Sequence, residues 1–310
     1  MRVVFFGTSS FACPALKALT NHHDVCLVVT QPERPKGRHH RASAPCPTSV
    51  QAAQQDLATT CPERVNQPDT IARLKATRAD VFVVAAYGQM LRHSVFGIPP
   101  LGTINIHASL LPAYRGAAPV HWALIRGETE TGVTTFVIDE GMDTGQVLQQ
   151  QRIGIDPDET AGELERRLAT LGGQVILDTL SGLESRTLVP APQPAEGVSL
   201  APRLTRDTGR LDWRQPARNV HNLVRGTTPR PGAWTVLADE PIKIHATSRT
   251  GLSAGAREPG SAVLRETGRL LVACQDELLE VREIQRAGRS RVDGNAFLNG
   301  LRGEVVFSSF

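Results

Sequence analysis

Short apolar runs alternate with helical segments through the first half of the chain, and this alternation constrains the fold more than any other feature. Four runs have the continuous apolar composition of strands that are covered on both faces: RVVFFGT, DVCLVVT, DVFVVAAYG and GTINIHA. Helical segments such as PALKALTN and DTIARLKATRA lie between them. Strands that alternate with helices at this spacing predict an α/β domain with a mostly parallel, doubly wound sheet.

The chain changes character after this region. The runs GVTTFVID and QVLQQQRIGI flank a Gly-rich turn and predict a hairpin, and residues 158–185 predict a long helix. The Pro-rich stretch VPAPQPAEGV is typical of a linker, and short β-like runs follow it. We therefore expect a first domain over 1–188, a linker over 189–205 and a second domain over 206–310, the last forming a small barrel or sandwich.

Composition is that of an ordinary globular protein. The 310 residues are 40% hydrophobic and 21% charged, and no stretch approaches the roughly 18 apolar residues of a membrane span. The opening apolar run is too short for a secretory signal. Five cysteines are scattered and form no C-x-x-C pair, which favours reduced thiols over a disulfide framework or a zinc site. We expect a cytoplasmic protein.

Positive charge is concentrated in two places. From residue 205 onward the chain carries 16 Lys and Arg against 12 Asp and Glu, whereas the net charge of the whole chain is only +3. The loop QPERPKGRHHRAS (31–43) carries four basic side chains and one acid. A basic loop and a basic second domain indicate a polyanionic partner, although a merely solvated surface is compatible with the same charges.

The Gly-rich turn FFGTSSF follows a strand and opens a helix, as nucleotide-binding turns do. It lacks the G-x-G-x-x-G pattern, and the chain has no P-loop signature. We interpret it as a structural turn that implies neither NAD nor ATP.

Polar side chains cluster around the run TINIHASLLPAYRGAAP. Asn105 and His107 are two residues apart, so both side chains lie on one face of a strand, at the end where open α/β sheets bind their ligands. The next strand leads into IDEGMDTGQ, where Asp139 and Asp143 are both candidates to join them. Each residue alone has an ordinary structural explanation, such as an Asx-turn for either aspartate.

Together these groups suit acyl transfer. An amide donor stabilises a developing oxyanion, an imidazole moves protons near neutral pH, and a carboxylate orients the imidazole. The sequence has no Ser or Cys nucleophile in an elbow motif. We therefore expect transfer to an amine that the substrate brings, without a covalent enzyme intermediate.

NIHASLLPAYRGAAP followed by DEGMDTG resembles the signature of the folate-dependent formyltransferases. The resemblance implies a Rossmann-like formyltransferase domain and 10-formyltetrahydrofolate as the formyl donor, with no metal. It assigns Asn105, His107 and Asp143 as the catalytic set, with Asp143 preferred to Asp139 by the family pattern. His107 either moves protons or polarises the formyl oxygen, and the sequence does not choose between these roles. The resemblance also implies that the folate contacts the segment formed by Ser109, Leu110, Leu111 and Pro112.

The opening VVFFGTSSFACPAL, the loop TQPERPKGR and the runs APRLTRDTGRLDW and TPRPGAW resemble those family members that formylate methionyl initiator tRNA. That resemblance implies that the second domain is an OB-like β-barrel that binds tRNA. Because the sequence has no coiled-coil heptads and a tRNA must reach a wide face, we expect a monomer. The resemblance places further tRNA contacts in the basic loop, at Arg34, Lys36, Arg38 and Arg41. Ala113 and Arg230 depart from the common pattern, which leaves details of the folate and RNA contacts open.

Two other functions are compatible with parts of this pattern. A formyltransferase acting on a nucleotide-linked amino sugar or another small amine would share every catalytic residue, but it has no need of the basic loop. A non-catalytic RNA-binding protein would have no need of Asn105, His107 and Asp143 together.

Overall fold

The computed structural model describes residues 1–33, 45–263, 268–298 and 305–308, together with the backbone of 35–36 and 42–43. These residues divide into two compact units. The first unit comprises Met1–Gly116, Thr131–Ile153 and Glu165–Leu200, and the second comprises Ala117–Glu130, Gly154–Leu164 and Ala201–Phe310. No helix in the described part of the chain is long and apolar enough to cross a membrane.

Strands and helices follow one another as far as the long helix α6, with consecutive strands at β2–β4 and at β8–β9. In chain order the elements are β1 (Arg2–Gly7), α1 (Cys13–His22), β2 (Asp24–Val29), β3 (Pro35–Lys36), β4 (Ala42–Ser43), α2 (Pro47–Gln54), β5 (Thr59–Thr60), α3 (Pro68–Ala76), β6 (Val81–Ala85), α4 (His93–Phe96), β7 (Thr103–His107), α5 (Pro119–Ile125), β8 (Glu130–Val137), β9 (Val147–Gly154) and α6 (Ala161–Glu184).

A seven-stranded sheet organises the first unit, in the order β5-β2-β1-β6-β7-β8-β9. The pairs from β5 to β7 are parallel, and β8 runs antiparallel to β7. The strands β1, β2 and β6 are apolar almost throughout because helices cover both faces of such a sheet. Phe6, Phe82, Val84 and Leu74 form part of the core on one face. The predicted doubly wound sheet is confirmed, and β8 and β9 form the predicted hairpin, with the Val137 N–H donating across it.

The C-terminal region is built mainly from antiparallel strands. Its elements are α7 (Ala217–Thr227), β10 (Ala233–Leu237), β11 (Glu240–Ser253), β12 (Ala262–Val263), β13 (Leu271–Ala273), β14 (Glu277–Arg286), β15 (Val292–Asp293) and α8 (Gly294–Leu298).

Five of these strands form a sheet in the order β10-β11-β14-β13-β12, and β15 pairs with β14. The segment 305–308 then joins the two edges of the sheet, because Ser308 pairs with Val236 of β10 while Val306 pairs with Ser261 beside β12. Closure of this kind removes the exposed edges of an antiparallel sheet. Trp213 is fully buried inside and donates its indole N–H to Thr235. The predicted β-barrel is therefore confirmed.

Candidate active site

β7 carries the first two candidate residues to its carboxyl end. Asn105 pairs in register with Val84 of β6 on one side and Phe136 of β8 on the other, and His107 pairs with Thr134 of β8. The strand period of two places the Asn105 and His107 side chains on one face, as predicted. His107 is almost fully buried, while Asn105 is half-buried. Among the described residues, no side chain or backbone group hydrogen-bonds to the Asn105 amide, so its donors are free to bind a ligand.

Both ring nitrogens of His107 face acceptors. Nε2 lies 3.0 Å from the carbonyl oxygen of Tyr114, and Nδ1 lies 3.6 Å from Oδ2 of Asp143. A carbonyl oxygen can only accept, so Nε2 carries a hydrogen and donates it to Tyr114. Nδ1 is therefore the nitrogen through which His107 can exchange a proton, and it faces the carboxylate.

Asp143 reaches His107 through a turn that folds back along the sheet. Because β8 runs antiparallel to β7, the turn 138–146 begins beside Ile104 rather than beside His107. Gly145 allows the return: a Cβ at this position would overlap the carbonyl oxygen of Val137. Asp143 itself has φ +54°, a left-handed conformation that Asp tolerates better than most residues.

The structure distinguishes the two candidate aspartates. Asp139 is exposed, and its Oδ1 accepts from the Gly141 N–H at 3.1 Å and from the Thr144 hydroxyl at 2.7 Å. These bonds make Asp139 a turn residue. Asp143 instead accepts the Gly116 N–H at 2.8 Å, and its side chain is only 17% exposed. The aspartate beside His107 is thus Asp143.

The segment Ser109–Pro112 forms a tightly bonded loop immediately after His107. Ser109 is fully buried, and its hydroxyl donates to the Ala113 carbonyl at 2.6 Å. Leu111 is also buried, while Leu110 and Pro112 are half-buried. Ala113 contributes its backbone N–H and carbonyl to this loop, so an alanine side chain is compatible with its contacts there.

Two residues that the sequence did not single out hold this loop. Thr134 on β8 donates its hydroxyl to the Ser109 carbonyl at 2.7 Å and accepts the Leu111 N–H at 3.1 Å. Gln150 on β9 donates to the Leu111 carbonyl at 2.8 Å. Thr134 is one of several polar residues on β8, so residue type did not single it out, and its partners could not be predicted from spacing.

Not all the predicted contacts can be located. The side chains of Arg34, Lys36, Arg38 and Arg41 lie outside the described residues, and of these four positions only the backbone of Lys36, in β3, is described. No cluster of three or more His, Cys, Asp or Glu side chains with the arrangement of a metal site occurs in the described part of the chain.

Two family models match this chain. One, described as formyl transferase, covers residues 1–180, and the other, described as formyl transferase, C-terminal domain, covers residues 203–302. Methionyl-tRNA formyltransferase of Solibacter usitatus (strain Ellin6076) is 46% identical over 303 residues, which cover 97% of this chain and 96% of that protein. Methionyl-tRNA formyltransferase of Pelobacter propionicus (strain DSM 2379 / NBRC 103807 / OttBd1) is 43% identical over 299 residues, which cover 96% and 92% of the two chains.

A solved structure shares the fold. An N-formyltransferase from Helicobacter canadensis, in complex with folinic acid and dTDP-3-aminofucose, superposes with a TM-score of 0.68 at 16% identity, covering 92% of this chain and 98% of that chain. The two family models together span nearly the whole sequence and confirm the resemblance drawn from its motifs. This chain belongs to the formyl transferase family.

Proposed function

We propose that this protein transfers a formyl group from 10-formyltetrahydrofolate to the free amino group of methionyl initiator tRNA. The relatives that share 43–46% of its residues over at least 96% of the chain are named for that reaction. The observation that carries the proposal is the convergence of Asn105, His107 and Asp143 at the end of β7, within the part of the chain that the formyl transferase model covers.

The folate supplies an activated formyl group on its N10. The Asn105 amide fits this group, because its two N–H donors have no partner among the described residues and lie at the edge where ligands bind. Asn105 donates a hydrogen bond to the formyl oxygen and stabilises the negative charge that develops there when the amine attacks. A donor of this kind typically contributes a factor of about 10² to 10³ in turnover.

His107 and Asp143 move the proton. The reaction forms a bond between the formyl carbon and the acceptor nitrogen and breaks the bond to the folate nitrogen, while one proton passes from the first nitrogen to the second. His107 Nε2 is bonded to the Tyr114 carbonyl, so Nδ1 is the site that accepts and returns this proton. Asp143 lies 3.6 Å from Nδ1 and orients the ring.

The loop from Ser109 to Pro112 binds the folate in this proposal. Its half-buried members, Leu110 and Pro112, offer apolar surface, while Ser109 and Leu111 give the loop its shape. Thr134 fixes both ends of that shape through the Ser109 carbonyl and the Leu111 N–H. A loop held in this way presents a preformed surface to a flat ligand.

The tRNA is held by the basic loop, through Arg34, Lys36, Arg38 and Arg41, and by the second domain. Phosphate contacts of this kind make affinity fall steeply with salt. Replacing all four basic residues by glutamine should raise KM for methionyl-tRNA and flatten its salt dependence, with KM for the folate unchanged. An unchanged salt dependence would contradict this part of the proposal.

We also propose that the protein is a monomer in the cytoplasm. All five cysteines are free thiols, which a reducing compartment preserves. A monomer leaves both the basic loop and the second domain accessible to a large RNA. Sedimentation at micromolar concentration, with and without tRNA, tests the first point, and fractionation of the producing cells tests the second.

One assay tests the proposed reaction against its alternatives. The protein is supplied with 10-formyltetrahydrofolate and, separately, with methionyl initiator tRNA, methionyl elongator tRNA or a nucleotide-linked amino sugar. We expect formylation of the initiator tRNA, and a fall of about 10²- to 10³-fold in Asn105→Ala with the fold intact. Formylation of the amino sugar alone would replace the proposed acceptor, and normal turnover in Asn105→Ala would remove the proposed site.

A further inference from the structure

A single glutamine connects the two loops that hold His107 and Asp143. We propose that Gln193 is a positioning residue, which works together with Arg115 and sets the contact between His107 and Asp143. This inference rests on the proposed function, because it concerns the geometry of the same site.

The Gln193 amide is fully engaged. Its oxygen accepts from Arg115 Nε at 3.1 Å and from Arg115 Nη2 at 2.6 Å. Its nitrogen donates to the carbonyl of Asp143 at 2.8 Å and to the carbonyl of Gly145 at 2.8 Å. A primary amide combines two N–H donors with an acceptor, and no other side-chain type of this length offers both to two separate loops.

These bonds join the partners of the catalytic pair. Arg115 lies between Tyr114, whose carbonyl accepts from His107 Nε2, and Gly116, whose N–H donates to Asp143 Oδ2. The Gln193 side chain binds the guanidinium of Arg115 and, in the Asp143 turn, the backbone carbonyl of Asp143. One amide therefore sets the spacing between the loop that orients the imidazole and the turn that carries the carboxylate.

The Asp143 turn needs such support. Asp143 has φ +54°, a conformation that non-glycine residues hold only when the surrounding structure determines it. The carbonyl of Asp143 and that of Gly145 both accept from Gln193, so this one side chain fixes the turn on each side of Thr144. Release of these bonds frees the carboxylate to rotate away from His107.

Gln193 is itself anchored. It lies in the Pro-rich stretch that the sequence predicts as a linker, yet that stretch is bonded at both ends. Ala191 exchanges two backbone hydrogen bonds of 2.8 Å with Val147. Ser199 accepts the Tyr114 N–H on its hydroxyl and the Arg115 N–H on its carbonyl, each at 2.9 Å. The amide of Gln193 therefore acts from a fixed position.

The first test compares Gln193→Ala and Gln193→Glu with Glu196→Ala, an exposed residue of the same stretch. The glutamate keeps an acceptor for Arg115 but loses both donors. We expect kcat to fall about 10- to 100-fold in both Gln193 variants, as a misplacement of about 1 Å costs, with KM for both substrates within about twofold. The control should keep normal kcat. A kcat equal to that of the control in both Gln193 variants would overturn the proposal.

The second test separates positioning from general destabilisation. In the Asp143→Ala background the same Gln193→Ala change should lower kcat no further, because the group that it positions is already gone. If Gln193→Ala lowers kcat in that background as much as it does in the unmodified protein, the inference is contradicted. The melting temperature of each variant shows whether its kcat falls because the protein unfolds. If Gln193→Ala does not fold, Gln193→Glu serves in both backgrounds. Normal kcat in Asp143→Ala alone would instead refute the proposed function, so the two failures are distinguishable.

Discussion

Two buried histidines, one in each unit, have similar partners but different surroundings. His107 faces the Asp143 carboxylate at 3.6 Å and the Tyr114 carbonyl at 3.0 Å. His221 on α7 faces the Asp158 carboxylate at 3.3 Å and the Pro157 carbonyl at 3.2 Å. A His–Asp pair beside a backbone carbonyl is therefore not by itself the mark of an active site.

The difference lies in what surrounds each pair. The Nδ1 of His221 accepts from the Thr247 hydroxyl at 2.9 Å, so both of its nitrogens are used inside the unit, while the Asp158 side chain is 70% exposed. Asp143 is only 17% exposed, and its carboxylate accepts the Gly116 N–H. The first arrangement ties α7 to the loop before α6. The second lies on the same strand as the Asn105 amide, which has no hydrogen-bond partner among the described residues.

The largest expected effect is a difference in kcat between variants of the two histidines. His107→Ala should lower kcat by about 10² to 10⁴, the usual contribution of a positioned acid–base group. His221→Ala should leave kcat within about twofold, because its contacts are structural. Steady-state formylation of methionyl-tRNA, measured on folded samples, gives both numbers. Equal losses in the two variants would remove the distinction.

Replacing the two partner carboxylates, Asp143 and Asp158, should change kcat in the same contrasting way. Asp143→Asn keeps the size of the side chain but removes the charge that faces Nδ1 of His107, so kcat should fall about 100-fold. Asp158→Asn changes a mostly exposed carboxylate and should leave kcat unchanged. The assay is the same as for the histidines. A normal kcat in Asp143→Asn would show that His107 works without its carboxylate.

For the stability of the fold we expect the opposite of the result for activity, because replacing His221 removes structural contacts. His221→Ala leaves the Thr247 hydroxyl and the Pro157 carbonyl without their partner, at a cost of about 1–3 kcal/mol in the free energy of unfolding. Denaturant unfolding, followed by the fluorescence of Trp122, Trp213 and Trp234, which all lie in the second unit, measures this cost. His245 is another buried histidine of the barrel, and the unfolding midpoint of His245→Gln is compared with that of His221→Ala. An unchanged midpoint in His221→Ala would refute the structural role.

The smallest expected effect is a pH dependence of stability. Burial lowers the pKa of His221 below its ordinary 6.5, and the nearby Arg225 and Arg249 lower it further, although the Pro157 carbonyl and Asp158 oppose them. Below pH 6.5, His221 is protonated in the unfolded chain but remains neutral in the folded protein. The free energy of unfolding therefore falls as the pH falls.

Unfolding curves between pH 7.5 and 5 measure this slope. His221→Ala should flatten it in part, since burial also lowers the pKa of His23 and of His245. A slope that stays the same in the variant would show that His221 does not contribute.

Much of the fold could be predicted because it follows from local chemistry. Continuous apolar runs separated by amphipathic segments imply a parallel sheet with helices on both faces, and the structure has that sheet. Short runs between turns predicted a barrel or a sandwich, and the family resemblance favoured the barrel. Its closure by residues 305–308 was not predictable, since pairing with both β10 and the residue before β12 joins segments far apart in sequence.

The candidate site was predictable only in part. Asn105 and His107 share one strand, and the period of two is enough to align them. Spacing alone did not distinguish Asp139 from Asp143, and only the family pattern preferred the second. The structure separates them through the Gly141 N–H and the Thr144 hydroxyl, which engage Asp139. Gln193 was not found at all, because a Pro-rich stretch predicts a linker whatever its side chains contact.

The sequence by itself determined the order of strands and helices, the shared face of Asn105 and His107 and the family of the chain. These depend on residue type and on separations of a few positions. The tertiary structure alone decided how Asp143 reaches His107, which nitrogen of that ring remains available, and that Gln193 connects the two loops. Those features are hydrogen bonds between segments up to 78 residues apart, and such contacts form only when the backbone has folded.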